Sequence, residues 1–458
     1  MKKLFSLILS FVMVLSIFNC VPLIANASTI DTNETSADSS CYEYKILEDG
    51  TAEITGYTGD GGVVNIPSTI GVYAVTSIGI NAFNNCTSLI EVTIPYGVKS
   101  IGYNSFANCK SLTSVNLPDS LINIDYFSFD ACTALTNITI PDSVTSIGSD
   151  VFRGTAYYNN IDNWENGVLY NGNHLIDANY SIEGDYVIKS GVLTIADSAF
   201  FGCNSLTGIT IPEGVTNIGF SAFSYCSKLT NISFPNSLIT INSSAFESCL
   251  NLTDITIPDS ITSIGGFAFY NTAYYNNPDN WENNLLYIGN HLIKADRAFF
   301  GEREIKDGVV TIADYAFYGC YSITGVTIPE GVKRIGWSTF YDCANLKSIT
   351  IPESVTSIAP NSISLGEGAT IYSYQGSVAE AYAKSNGINF EVIPEVGDVN
   401  CDDYVTIADA TVIMKAMTYI TELDAMQYKV ADVDHDGIVS VKDATTIQKY
   451  LAGLIKKF

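Results

Sequence analysis

Near the end of the chain, oxygen-bearing side chains stand on alternate positions. Asp398, Asn400, Asp402, Thr406 and Asp409 occupy places 1, 3, 5, 9 and 12 of one loop. Asp432, Asp434, Asp436, Ser440 and Asp443 repeat that order 34 residues later. Calcium takes six to eight oxygens at about 2.3–2.6 Å, drawn from carboxylates, amides and a main-chain carbonyl. A tight loop with oxygens on alternate positions wraps one such ion. Two Ca2+ ions are therefore expected, with the carbonyls of Tyr404 and Ile438, at place 7, adding one ligand to each. The loops differ at place 6, where Asp403 faces Gly437. Glycine adopts the conformation usual there most cheaply, and Asp tolerates it better than most. The first site is then weaker or strained, or it gains affinity from the added charge.

Each loop needs a rigid element after it, and each has one. Apolar residues recur with helical spacing at Ala410, Ile413, Met414 and Met417, and again at Ala444, Ile447, Tyr450 and Leu451. Place 12 opens each helix, where the free amides also favour a carboxylate. Two loop–helix units with Asp at place 12 resemble a type I dockerin, and the resemblance covers residues 395–458. It implies a small all-α module with two calcium loop–helix units and a cohesin partner on a scaffold protein. It also implies recognition through loop places 10 and 11 and basic helix residues. Here those are Ile407, Ala408, Val441, Lys442, Lys415 and Lys449. They are not the Ser-Thr pair of many family members, and the two halves differ. An apolar patch rimmed by Lys is the expected contact.

Most of the chain ahead of this module is periodic. Ile101, Gly102, Phe106, Cys109, Leu112, Val115, Leu117 and Pro118 recur every 23 residues, as in Ile335, Gly336, Phe340, Cys343, Leu346, Ile349, Ile351 and Pro352. About ten units can be counted across residues 78–368, two of them interrupted. Leu252, Ile255 and Ile257 alternate with polar residues, which marks a short strand with one buried face. Proline then ends it, lacking a donor for the ladder. One unit cannot bury its apolar face alone, so units must stack into a solenoid of parallel strands. Each buried Ile, Leu or Phe contributes about 1.5–3 kcal/mol before entropy is subtracted.

These residues resemble the leucine-rich repeats of BspA-like bacterial surface proteins. The expected fold is a capped leucine-rich-repeat solenoid of parallel β coils followed by the dockerin. Residues 42–77, with Asp49, Gly50, Thr51 and Ala52, resemble that family's amino-terminal cap. Residues 369–394, with Ser377 to Ala383, resemble its closing cap and short helix. A longer period is superimposed: Trp164 and Trp281, His174 and His291, and Ile195 and Ile312 are each 117 apart. In both copies Thr155 or Thr272 replaces the repeat Cys. Inserts follow near 155–190 and 272–307 and read as β-hairpins projecting from the solenoid edge. Their Trp residues read as packing anchors rather than ligand platforms.

The chain opens like a secretory leader. Lys2 and Lys3 precede an apolar run from Leu4 to Phe18, and Ala25-Asn26-Ala27 offers a cleavage site, giving a signal peptide at 1–27 and a linker at 28–41. Cys20 with Asn19 before it is a poor lipidation site. No later stretch is long and apolar enough to span a membrane. The formal net charge is −26, and −28 once Lys2 and Lys3 are lost. That balance excludes nucleic-acid binding and suits a secreted protein that is extracellular or held at the cell surface through a scaffold. Cys86, Cys109 and Cys132 are 23 apart, as are Cys203, Cys226 and Cys249, and Cys320 and Cys343. One cysteine per repeat is one structural position, so a column of small buried hydrophobes is expected, with cross-coil disulfides as the alternative.

No catalytic constellation is found. His174 and His291 are repeat equivalents, His435 lies in a calcium loop, and there is no H-E-x-x-H, G-x-S-x-G or phosphate loop. The expected function is non-catalytic binding or adhesion within a cellulosome-like assembly for polysaccharide breakdown, with the solenoid recognising a protein or polysaccharide surface. Tyr103, Tyr126, Phe220 and Trp337 follow the Ile-Gly step in their repeats and offer a ligand face; covering the repeat edge is the other reading. A structural spacer, and a polysaccharide-degrading enzyme with its site in the inserts, are the alternative functions.

Overall fold

The structure is a computed structural model that describes residues 39–402, 404–456 and 458. The leader at 1–27, most of the linker and Asp403 lie outside these residues. The chain divides into two compact units, one ending at His174 and the other starting at Leu175.

In the first unit, Tyr42–Ile46 and Ala52–Tyr57 pair antiparallel, and the latter pairs parallel with Tyr73–Ile78. From there the chain makes regular coils. Leu89–Thr93, Ser114–Asn116 and Asn137–Ile138 form one parallel ladder. Ser100–Ile101, Asn123–Ile124 and Ser146–Ile147 form a second. Partners such as Val92 and Val115, or Ile101 and Ile124, are one repeat apart. Each side chain therefore sits above its own equivalent, and like packs on like. Phe83, Phe106 and Phe129 stack at centroid separations of 4.8 and 5.4 Å, all fully buried.

The side of the coil opposite the longer strands is built differently. Two residues per coil take left-handed backbone, as at Asn104 (φ 55°) and Asn108 (φ 61°). This curls the chain so that alternate amides still reach the next coil. Asn104, Phe106 and Asn108 donate to the carbonyls of Tyr126, Ser128 and Asp130 at 3.1, 2.8 and 2.8 Å. Coils approach so closely here that a Cβ on Gly102 would lie 2.9 Å from the carbonyl carbon of Gly79.

The second unit repeats the plan. Ser205–Thr210 and Asn231–Ser233 pair in one sheet; Ile323–Thr327, Ser348–Thr350 and Thr370–Ser373 pair in another. Phe200, Phe223, Phe246 and Phe269 stack at 5.0, 5.2 and 5.5 Å. Helix Val378–Asn386, capped by Ser377 and ended by Gly387 at φ 66°, lies over the coil end, and Asn389–Val392 adds a last parallel strand. Three helices follow, Ile407–Met417, Ala425–Ala431 and Val441–Leu451.

The described cysteines are free. The column is not a set of cross-coil disulfides. Each buried thiol of the column donates to a carbonyl one coil back, as Cys109 to Phe83 at 3.1 Å, Cys132 to Phe106 at 3.0 Å and Cys249 to Phe223 at 3.1 Å. Burial pushes the Cys249 and Cys343 thiols up to about 12.

The inserts do not project. Leu285–Ile288 is buried along its length and pairs antiparallel with His291–Ala295, which pairs parallel with Thr311–Ile312. The insert thus supplies a rung of the sheet, because its residues are apolar on both faces. In the first unit Val168–Asn171 is buried throughout in the same way and pairs with Trp164–Glu165. Thr155 and Thr272 replace Cys because the chain leaves the coil as a helical turn there. Their hydroxyls accept from Tyr158 N and Tyr275 N at 3.0 Å as N-caps. Trp164 and Trp281 donate Nε1–H to the carbonyls of Tyr158 and Tyr275, each at 2.8 Å, as packing anchors.

Candidate metal centre and docking face

In the second loop Asp432, Asp434 and Asp436 each turn a carboxylate oxygen to one point, the three atoms within 4.8 Å of one another. Three like charges gather there because the loop backbone directs them. Asp436 N donates to Asp432 Oδ1 at 3.1 Å, Gly437 N to Asp432 Oδ2 at 2.9 Å, and Ile438 N to Asp436 Oδ1 at 3.0 Å. Gly437 sits at φ 81°. His435 at place 4 is also left-handed, at φ 58°, and Cys401 at place 4 of the first loop matches it at φ 57°.

The first loop is drawn together by the same bonds. Asp402 N donates to Asp398 Oδ1 at 3.1 Å, and Asn400 Nδ2 donates to Asp402 Oδ2 at 2.9 Å. Asp398 is fully buried, as are Asp409 and Asp443 at place 12. These last two accept from both ends of their loops. Asp409 takes Asn400 N at 2.9 Å and Thr406 N at 2.7 Å; Asp443 takes Val433 N at 3.0 Å and Ser440 N at 2.8 Å. Thr406 and Ser440 at place 9 cap their helices, accepting from Ala408 N and Lys442 N, and donate to the place-12 carboxylates. Each hydroxyl thus gives its proton and one lone pair to the protein and keeps one lone pair. An acidic, all-oxygen set of this kind fits calcium. Tyr404 and Ile438 lie on the open side of their loops, 71 % and 65 % exposed.

The two long helices pack around Val399, Ala410, Ile413, Val433, Val439, Ala444 and Ile447. Outside that core, Ile407 and Val441 at place 10 are 59 % and 52 % exposed. Ala408, Lys442, Lys415 and Lys449 are exposed as well. Lys442 is engaged: its Nζ lies 2.6 Å from Asp434 Oδ2 and 3.4 Å from Asp436 Oδ2. That ammonium holds the Asp434 carboxyl below the usual range.

The BspA type leucine rich repeat region matches residues 64–176, 178–298 and 295–379, in six copies. The chain belongs to this family. A dockerin type I domain matches residues 396–452. The BspA-type repeats and the dockerin together account for most of the chain and suggest an extracellular or cell-surface protein. Type I dockerins are calcium binders with cohesin partners. No curated protein matches. Among solved structures, a leucine-rich repeat protein of T. pallidum is 27 % identical over 48 % of this chain and 92 % of its own, with a TM-score of 0.30. A leucine-rich repeat protein of Bacteroides ovatus is 24 % identical over 77 % and 98 %, with a TM-score of 0.28. A leucine-rich cell surface protein of Faecalibacterium prausnitzii is 26 % identical over 81 % and 97 %, with a TM-score of 0.26. Among the described residues, no helix is long and apolar enough to cross a membrane.

On the BspA-type coils, the four aromatic residues named from the sequence are dispersed. Tyr103 is 37 % exposed and meets Phe127 edge-on at 5.8 Å. Tyr126 and Phe220 are half-buried, and Trp337 is 49 % exposed. The denser aromatic surface lies on other positions of the repeat, at Phe267, Tyr270, Tyr315, Tyr318 and Tyr341. Its signal was present in the 23-residue register. These residues align with Asn104 or Ala107, which carry no ring.

Proposed function

We propose that this protein is a non-catalytic binding component of a cohesin-bearing extracellular assembly. The module at 395–458 binds two Ca2+ ions and docks to a cohesin; the solenoid recognises a protein or polysaccharide surface. The reading rests on the second loop, whose three carboxylates converge, and on the first, drawn together by matching bonds, each followed by a helix that leaves places 10 and 11 exposed. Asp398, Asn400, Asp402 and Asp409 hold the first ion with the Tyr404 carbonyl, and Thr406 through water. Asp432, Asp434, Asp436 and Asp443 hold the second with the Ile438 carbonyl, and Ser440 through water. Bound calcium cancels the carboxylate repulsion that otherwise opposes loop closure. Ile407, Ala408 and Val441 then form the apolar contact, with Lys415, Lys442 and Lys449 at its rim.

His174 and His291 in the inserts are fully buried, which leaves them out of reach of a substrate and favours a binding role over a catalytic one. The deciding experiment is a pull-down with the intact protein on immobilised cohesins, with calcium and with chelator. Capture in calcium and release in chelator is expected. Calcium-independent capture, or none by any cohesin, overturns the docking reading. Retention of the cohesin-bound protein by no protein or glycan surface would make the solenoid a spacer.

A further inference from the structure

Rings on three coils of the second unit join into one chain, exposed at its ends and half-buried at Tyr315 and Tyr318. Phe267 lies 5.7 Å from Tyr315, Tyr315 is 5.7 Å from Tyr318, and Tyr318 stacks on Tyr341 at 6.0 Å with an interplanar angle of 4°. Tyr270 branches from Phe267 at 5.9 Å. Phe267, Tyr270 and Tyr341 are 46 %, 44 % and 45 % exposed.

The coils do not need these rings. The same places hold Ser221 and Ser224 in one coil and Ser244 and Glu247 in the next, and the backbone is unchanged. Two of the rings also oppose local preference. Phe267 and Tyr315 sit at φ 61° and 60°, a region that suits Asn or Gly and strains a bulky residue. Lys294 helps to hold that strain: its Nζ donates to the Tyr315 carbonyl at 2.7 Å, although burial disfavours its charge there. Aromatic residues kept against the backbone's preference, exposed, and dispensable for packing point to a ligand.

The chain of rings runs into a cleft. Tyr341 also lines a depression of about 570 Å³, with Asn361, Ser364, Glu367, Asn386 and Asn389. Asn361, Glu367 and Asn389 are exposed and make no side-chain hydrogen bond within the protein, so their amides and carboxylate remain available to a ligand. We propose that this ring chain and its polar cleft bind a neutral polysaccharide. Sugar rings present C–H groups that stack on aromatic faces, and their hydroxyls need planar amides and carboxylates beside those faces. The local composition fits that chemistry better than it fits a protein partner. Between Leu250 and Val378 every exposed large apolar side chain is aromatic, namely Phe267, Tyr270, Phe300, Tyr321, Trp337 and Tyr341. The net charge of −26 disfavours anionic glycans. The proposal rests on the reading that the solenoid recognises a surface, and it assigns the place and the ligand class.

The test uses the intact protein in affinity electrophoresis through gels containing xylan, galactomannan or hydroxyethylcellulose, with sedimentation on insoluble cellulose. Retardation by at least one is expected. Tyr318→Ala with Tyr341→Ala, Asn389→Ala, and Phe267→Asn should each weaken it about fivefold or more. Phe267→Asn should hold or raise the melting temperature, since Asn accepts positive φ more readily. Tyr96→Ser, at an exposed ring outside the chain of rings, should leave binding unchanged. Equal retardation of wild type and natively folded variants overturns the site while leaving surface recognition standing. Retention by a protein surface and no polysaccharide overturns the ligand class. Retention by nothing overturns both, whatever the cohesin result.

Discussion

Lys442 Nζ lies 2.6 Å from Asp434 Oδ2, inside the second calcium loop, while the first loop has Ala408 at that place. A side-chain cation therefore sits on carboxylates proposed to bind calcium in the second loop. In the proposed reading calcium displaces it, which frees Lys442 for the docking face. Lys442→Met should raise calcium affinity at the second loop by about two- to fivefold, the modest scale of an exposed pair. Calorimetric titration of the intact protein, or terbium luminescence, resolves the change. An unaltered second-site affinity would show that the contact has no competitive role.

Removing calcium should act on one part of the molecule only. The carboxylates that converge in the second loop repel one another without an ion, whereas the coils are held by stacked Phe and ladder bonds. Chelator should lower the melting transition of residues 395–458, lose its helical circular dichroism, and leave the solenoid transition in place. Hydrogen exchange mapped along the chain distinguishes the two. Equal loss of protection in both regions would contradict the independence of their stabilisation.

The thiol column should be inert in the folded protein. Apart from half-buried Cys86, its members are buried, donate to carbonyls, and are pushed up to about 11 at Cys320 and about 12 at Cys249. The thiolate is the reactive form, so little exists near neutrality. Iodoacetamide should label exposed Cys401 and half-buried Cys41 first, half-buried Cys86 next, and the buried thiols of the column only after denaturation. Mass spectrometry reads this directly, and early labelling of Cys226 or Cys249 would refute it.

Stability should fall as pH drops below about 6.5, the unperturbed histidine value. Burial lowers the pKa of both His174 and His291 in the folded protein. The unfolded chain then binds more protons than the folded one just below 6.5, so the histidines' share of stability is complete above that value. It is lost progressively as pH falls through the window between the unfolded and folded values. Asp125 and Asp314, raised by burial, act in the opposite direction at lower pH. Urea midpoints between pH 8 and 5 should slope downward, and His291→Gln should flatten the curve. An equal slope in that variant would assign the effect to other groups.

Much of this architecture can be read from spacing alone. The 23-residue period places Phe106 over Phe129 and Cys109 over Cys132, because a parallel ladder in register leaves them no other position. The calcium loops are equally legible, since place and residue type together define the donor set. The inserts were less so. Leu286 and Tyr287 suggest a hairpin, yet only burial on both faces reveals that it replaces a rung. The ring chain was missed for a related reason. Phe267 and Tyr315 stand where local preference asks for Asn, so a reading built on consistency passes over them. The position of Lys442 points to the docking face, and its reach back to Asp434 depends on a rotamer that no spacing encodes.

The two left-handed residues of each coil carry a consequence for how such a protein changes over time. Their side chains leave the stack, while their backbones complete the ladder whatever residue is present, as Asn104, Ser244 and Tyr315 demonstrate. Selection can thus exchange the residues displayed there one coil at a time, with the core untouched. Duplication of a 117-residue block delivers a second set of such places to diversify. The coil is fixed type, and those two positions are the letters it can print.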